Sequence, residues 1–356
     1  VIMKKPRILL YGANGFTARL MIERLKALPA ELILGGRNLD KIKTIADHHG
    51  LRSRSFALNH PASITKNMAG IDLLINCAGP FRETALVLAK AALKAKCHYF
   101  DITGEINVFR DLYALDEQAK NQGIALIPGL GFDIAPSDCL ASLIRQRATD
   151  PNSLILAVIP KGTRPSHGTL KTALRTLGHH PVARRSGGIV PCIATEANHQ
   201  IVLNGKNIPC VRAPLPDLFC AHLSTGIENI DTYLAMPRHL QKMAKIMPVF
   251  RKLKKLPWFN NIFGTLIEIL PNGPSEEQQK NGRAFIYAKI ENRNGNTETA
   301  IMTTIEPYAY TGDLIVSATK SWLEKGMGGG FKTPSQAFGA NFAQDACPAG
   351  VKIEYL

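Results

Sequence analysis

The segment Arg7-Ile8-Leu9-Leu10-Tyr11-Gly12-Ala13-Asn14-Gly15-Phe16-Thr17-Ala18 constrains the fold more than any other. A short apolar run ends in G-x-x-G-x-x-A and passes into a segment with Leu20, Leu25 and Leu28 on a helical period. In such a strand–turn–helix, Gly12 permits the tight turn, Gly15 lets backbone approach a pyrophosphate, and Ala18 allows close helix-to-strand packing. A helix opening there offers unpaired N–H groups and a positive dipole end to phosphate. A glycine pattern alone is weak evidence, because a plain βα turn has the same spacing. Inside a βαβ series it points to a dinucleotide.

The series is present. Strands are expected at Arg7–Tyr11, Glu31–Leu34, Ser55–Leu58, Asp72–Asn76, Tyr99–Ile102 and Ile124–Ile127. Helices are expected over Thr17–Leu28, Asp40–His49, Glu83–Lys94 and Val108–Asn121. Strands alternating with helices of this length read as a parallel sheet. After residue 150 the pattern changes. His199–Leu203 and Asn207–Val211 flank Asn204-Gly205-Lys206, and Ala284–Glu291 and Thr297–Glu306 flank a second Asn/Gly-rich turn, so two hairpins are expected. A helix-like run over Ser317–Glu324, a flexible Gly326–Gly330 stretch and a short helix from Pro334 follow. The fold class is therefore α/β: a Rossmann-type parallel-sheet domain with an inserted α+β, antiparallel-sheet second domain. The first would span 1–150 and be completed by 313–356; the second, for substrate or dimerisation, would span 151–312.

Cofactor choice should be set at the end of the second strand, where NAD-binding chains place Asp or Glu against the ribose hydroxyls. This chain has Gly35-Gly36-Arg37-Asn38, with Lys41 a turn further on. Arg37 can pair with a 2′-phosphate, so NADP(H) is the expected cofactor, held by Gly12, Ala13, Asn14, Gly15, Phe16, Thr17, Arg37, Asn38 and Lys41. Arg37 as a solvated loop charge is the plainer reading. Cys77-Ala78-Gly79-Pro80 closes the fourth strand on the side where ligands lie in open parallel sheets, though Gly79-Pro80 equally suits a structural stop.

Seven scattered cysteines without a C-x-x-C pair argue against a disulfide framework and a zinc site and suit a reducing cytoplasm. His48-His49 and His179-His180 are sequence neighbours that do not share a helix face, so no metal site is expected. The start of the chain shows no signal-peptide cleavage pattern, and no apolar run approaches spanning length. The formal charge of +15 favours anionic ligands, partners or membrane surfaces. Nucleic acid is not expected, since no helix-turn-helix, zinc-finger or aromatic RNA-binding signature accompanies the charge.

Hydride delivery needs a group that stabilises or neutralises the charge it leaves. Asp101, Thr103, Glu105, Asp133, Ser137 and Asp138 lie at expected strand ends, and Asp133 and Ser137 occupy a Gly-rich loop suited to a cleft. Ser137 and Asp138 also suit capping of the helix after Pro136. His167 and Lys171 form a second polar cluster beside Gly168, where a structural or solvated role is the commoner reading. The catalytic candidates are Asp133, Ser137, His167 and Lys171.

Tyr11–Arg19, Gly36-Arg37-Asn38, Asn76–Phe81, Tyr99–Glu105, Pro128–Asp138 and Gly168–Ala173 together resemble the saccharopine dehydrogenase-like oxidoreductases, a group that includes mycobacterial trans-acting enoyl reductases. Lys332-Thr333-Pro334 resembles a carboxy-terminal motif of the group. The resemblance implies a Rossmann domain to which the chain returns, an inserted substrate domain, and NADP(H). The loop Gly12–Ala18 is closer to the enoyl reductase-like branch, while residues 180–280 resemble nothing specific. Reduction of an unsaturated acyl or lipid-type substrate is thus expected. The alternatives are a saccharopine reductase-like imine reductase, which wants Arg or Lys clustered for several carboxylates, and a non-catalytic NADP(H)-binding protein associated with membranes or partners.

No acidic residue falls between Asp231 and Glu268, and basic residues alternate with apolar ones over 238–259. Such a segment can meet an acidic carrier protein or, peripherally, an anionic membrane, or simply be a solvated face. The expected location is cytoplasmic, with a homo-oligomer permitted.

Overall fold

The computed structural model describes residues 5–176, 181–192, 198–203, 205–236 and 265–356. The basic stretch 238–259 lies outside the described residues. The chain divides into two compact units, one of residues 1–139 and 308–351, the other of residues 140–307 and 352–356. Among the described residues no helix is long and apolar enough to cross a membrane.

The first unit is built on β1 (Arg7–Tyr11), β2 (Glu31–Gly36), β3 (Arg52–Ser55), β4 (Leu73–Asn76), β5 (His98–Asp101) and β6 (Ala125–Ile127). All pair in parallel in the order β3-β2-β1-β4-β5-β6, extended beyond β6 by the two-residue strand Gly330–Phe331. The order reverses at β1 and β4, the switch point beside which open α/β sheets place their ligands. Near-continuous apolar strands follow from burial on both faces: Ile8, Leu9 and Leu10 of β1 and Leu73, Leu74 and Ile75 of β4 are fully buried.

Several expected elements differ. The helix expected over Thr17–Leu28 is two short helices, Phe16–Arg19 and Ile22–Lys26, so little dipole accumulates behind the glycine turn. The run over Val108–Asn121 likewise divides into Ile106–Tyr113 and Asp116–Gln122. The third strand is Arg52–Ser55 rather than Ser55–Leu58, because an edge strand can form from exposed polar residues. Gly326–Gly330 is not simply a flexible tract: Gly330 enters the sheet beside Ala125. A Cβ on Gly329 would stand 2.7 Å from the Ala119 carbonyl oxygen, so close packing requires glycine there.

The second unit carries β7 (Pro151–Lys161), β8 (Val182–Arg185), β9 (Gly188–Pro191), β10 (Asn198–Leu203), β11 (Lys206–Arg212), β12 (Asn229–Ala235), β13 (Arg283–Asn292) and β14 (Thr297–Ile305). The sheet runs β10-β11-β12-β7-β13-β14 and then Lys352–Tyr355, with β8 and β9 appended at β12. Both expected hairpins form, β10–β11 and β13–β14. The sheet is mixed rather than wholly antiparallel, since β12 lies parallel to β7. Ala284, Ile286, Ala288 and Ile290 alternate into the core along β13.

Candidate nucleotide site at the carboxyl ends of β1 and β4

The turn after β1 is fixed by the neighbouring strand. The N–H groups of Gly12 and Ala13 both donate to the Gly35 carbonyl at the end of β2, at 2.8 and 3.1 Å, and the Gly15 N–H donates to the Gly12 carbonyl at 2.9 Å. Gly12 has φ +85°, and a Cβ there would lie 2.6 Å from the Ala78 nitrogen. Only glycine fits, on both conformational and steric grounds. At Gly15 a Cβ would meet the Gly12 carbonyl oxygen at 3.2 Å, a milder conflict. Ala13 and Ala18 are buried, Phe16 and Thr17 half-buried, and Asn14 exposed. The result is a tight backbone turn at the switch point, packed against the Cys77–Ala78 backbone, which suits close approach of a pyrophosphate.

Cys77 and Ala78 form the facing wall. The Cys77 N–H donates to the Tyr11 carbonyl at 2.8 Å, and burial raises the Cys77 thiol well above the ordinary range, leaving it inert. Gly79 and Pro80 continue into the helix Phe81–Ala95 through a cis peptide bond. That helix is capped from a distance: Glu105 accepts from the Phe81 and Arg82 N–H groups at 2.9 and 3.3 Å.

A buried polar network, not anticipated from the sequence, supports this wall. Thr84 donates to the Ala78 carbonyl at 2.6 Å, and Asn76 accepts from the Ala78 N–H at 2.9 Å. The Asn76 amide donates to the Tyr99 hydroxyl at 3.1 Å and the Thr84 hydroxyl at 3.3 Å. The Tyr99 hydroxyl donates to Asp101 at 2.8 Å, and the other Asp101 oxygen accepts from the N–H groups of Thr103 and Gly129 at 3.0 and 2.9 Å. Burial pushes the Asp101 carboxyl up to about 6, against the pull of these hydrogen bonds. Polar residues in buried strands, Asn76 after Leu-Leu-Ile and Asp101 after Tyr-Phe, were the only sequence signal.

At the end of β2, Arg37 is exposed, and among the described residues it makes no ion pair. Asn38 is committed to structure, capping the helix Leu39–His49 by accepting from the Lys41 N–H at 2.9 Å. Lys41 itself is exposed. No acidic residue stands at the tip of β2, so a 2′-phosphate would meet cations there.

The catalytic candidates fall into separate places. Asp133 is exposed, in a loop anchored by Asp101 and by Thr311, which accepts from the Phe132 N–H at 3.0 Å. Its carboxylate rests against Gly104, where a Cβ would come within 2.6 Å of it. Although the residue as a whole is exposed, its carboxyl is packed against Gly104 and the anchored loop, and desolvation there raises it to about 6. Ser137 is buried and donates to the Ile134 carbonyl at 3.0 Å. Asp138 reaches past its own helix to accept from the Ser335 N–H at 2.7 Å, in the first turn of the helix Pro334–Phe338. In the second unit, one His167 ring nitrogen meets the Leu270 carbonyl at 2.6 Å and the other faces Glu268 at 3.4 Å. Lys171 pairs with Glu268 at 2.5 Å.

The parallel sheet, its switch point and the glycine turn define the class: a Rossmann-type dinucleotide-binding protein. Residues 8–127 match the family model described as the saccharopine dehydrogenase NADP binding domain. These residues therefore form an NADP(H)-binding domain similar to that of saccharopine dehydrogenase, and the protein is an NADP-dependent oxidoreductase. Trans-acting enoyl reductases of Mycobacterium bovis and Mycobacterium tuberculosis are 28% identical to it over 197 residues, 50% of this chain and 47% of theirs. The chain thus spans about half the length of the curated relatives it matches. A solved apo saccharopine dehydrogenase (L-Glu forming) from Saccharomyces cerevisiae matches with a TM-score of 0.67 at 15% identity, covering 99% of this chain and 100% of that one, a likeness of fold.

Proposed function

We propose that the protein is an NADPH-dependent reductase of an unsaturated acyl or lipid-type substrate. The observation that carries the cofactor half is the Gly12 turn, which only glycine fits and which Cys77–Ala78 walls, with Arg37 at the tip of β2. The substrate class is supported by the relatives named trans-acting enoyl reductases. In this reading the pyrophosphate lies against the turn Gly12–Thr17, where Gly12, Ala13 and Gly15, their own N–H groups bonded to the Gly35 and Gly12 carbonyls, permit close approach, while Arg37 and Lys41 face the 2′-phosphate. NADPH, when bound, supplies a hydride.

The chain must supply the balancing proton, and of the four candidates Asp133 is best suited. It is exposed, its loop is anchored, and a carboxyl near 6 retains a protonated fraction at neutral pH. Ser137 is buried with its hydroxyl engaged, and His167 and Lys171 are tied to Leu270 and Glu268. The imine-reductase reading needs cations free for carboxylates. Arg185 and Arg212, which do converge in the second unit, both pair with Asp231. The net charge of +15 favours delivery of the substrate by an acidic carrier.

The test is NADPH oxidation with an enoyl thioester, free and carrier-bound, beside aminoadipate semialdehyde plus glutamate. Turnover of the thioester supports the proposal, and turnover of the semialdehyde mixture alone replaces it with the imine reductase. NADPH binding with silence on both would favour a non-catalytic binding protein.

A further inference from the structure

The peptide joining Cys77 to Ala78 is gripped on both sides, and we infer that the buried chain Asp101–Tyr99–Asn76–Thr84 holds it against Gly12 and thereby sets affinity for the pyrophosphate–nicotinamide part of the cofactor. The inference rests on the cofactor assignment and not on the substrate. Ala78 donates its N–H to Asn76 at 2.9 Å and accepts from Thr84 at 2.6 Å, so neither polar group can rotate away without losing a buried partner. Both partners are themselves held. Asn76 and Thr84 bond to each other at 3.3 Å, and the Asn76 amide also bonds to Tyr99 at 3.1 Å, which is oriented in turn by Asp101 at 2.8 Å. All four side chains are buried.

The clearance this network guards is small. The position of a Gly12 Cβ lies 2.6 Å from the Ala78 nitrogen and 2.7 Å from the Cys77 carbonyl carbon. A shift of the wall by a few tenths of an ångström would therefore displace the turn or open it, and the backbone surface it offers to a pyrophosphate would change shape. A binding surface ordered in advance costs less to fix on binding, so a loosened wall should appear as weaker affinity. Tip residues of β2 lie on the other side of β1 from this wall. The 2′-phosphate end of the cofactor should therefore be indifferent to it. Asn76, Thr84, Tyr99 and Asp101 are positioning residues, acting through the Ala78 peptide.

The discriminating variant is Thr84→Val, which keeps shape and deletes the hydroxyl, with Thr84→Ser as the conservative rescue. Calorimetric titrations of the whole protein with NADPH and with adenosine 2′-monophosphate separate the two ends of the site. Thr84→Val should weaken NADPH about tenfold, the equivalent of about 1.4 kcal/mol, and leave adenosine 2′-monophosphate within about twofold. Thr84→Ser should restore NADPH binding. Unchanged NADPH affinity in Thr84→Val, or equal weakening of both ligands, would overturn the inference. If Thr84→Val does not fold, Tyr99→Phe is carried through the same two titrations under the same criteria. Loss of folding in both would make the network a folding determinant and equally overturn the claim. Neither readout depends on turnover, so failure here is distinct from failure of the enoyl substrates.

Discussion

Asp101→Asn isolates what a buried carboxyl costs this fold. Burial raises Asp101 from 3.8 to about 6. A shift of about 2 units is worth about 3 kcal/mol between the two protonation states. The folded chain holds the proton more tightly than the unfolded one. Asp101 therefore imposes no penalty below its unfolded value, and stability is lost as pH rises from about 4 through about 6, then stays flat. Asparagine is neutral throughout. Its carbonyl can still accept from Thr103 and Gly129, but the Tyr99 hydroxyl loses its acceptor, a cost of about 1 kcal/mol. The variant should be about 0.5 kcal/mol less stable than the parent near pH 4 and about 2 kcal/mol more stable at pH 7, the two crossing at about pH 4.5. Urea unfolding of both proteins at half-unit steps gives the difference directly, and other titrating groups cancel in it. A variant-minus-parent difference that does not change between pH 4 and 7 would refute the reasoning, because it would mean that Asp101 is not desolvated.

Gly12→Ala combines a left-handed φ with a Cβ 2.6 Å from backbone; strain of ~1–2 kcal/mol and overpacking of ~1–3 kcal/mol should weaken NADPH binding by about a hundredfold or more. Calorimetry showing affinity within about threefold would contradict this role of the turn. Arg37→Ala removes a charge-assisted contact worth about 1.5–3 kcal/mol, so the ratio of NADPH to NADH affinity should fall by about tenfold to a hundredfold. An unchanged ratio would remove Arg37 from the 2′-phosphate site. If Asp133 is the proton donor, turnover of the responsive substrate should decline as pH rises through about 6, where the acid form is lost. Asp133→Asn should be slow at every pH with that inflection gone, whereas an inflection retained in the variant would assign it to another group.

What the sequence made legible and what it hid follow from where each signal resides. β1, its glycine turn and β4 could be read because burial on both faces leaves a continuous apolar run, and because Gly12 and Gly15 answer to a local geometric need. β3 escaped because Arg-Ser-Arg-Ser at a sheet edge has neither an apolar run nor a buried alternating face. The glycines at 326–330 misled for the opposite reason. Glycine marks both freedom and crowding, and only tertiary structure shows Gly329 against Ala119, and Gly330 at φ +105° beside Asp116. The parallel pairing of β12 with β7 joins segments far apart in the chain, which no local pattern encodes.

The same distinction governs the site. Arg37 and the Gly12–Gly15 turn are read from one stretch of chain, but the support of Ala78 is distributed. Asn76 comes from β4, Thr84 from the following helix, and Tyr99 and Asp101 from β5; each alone looks like an ordinary polar residue. Ser137 and Asp138 show the limit of local reasoning most directly. Both stand where a helix cap was expected, yet Ser137 bonds back to Ile134 while Asp138 satisfies the helix that starts 196 residues later, at Pro334. A carboxylate used in that way ties two remote parts of the first unit together. Its loss would therefore be felt in folding before it was felt in chemistry, which separates Asp138 from the exposed Asp133 five residues earlier.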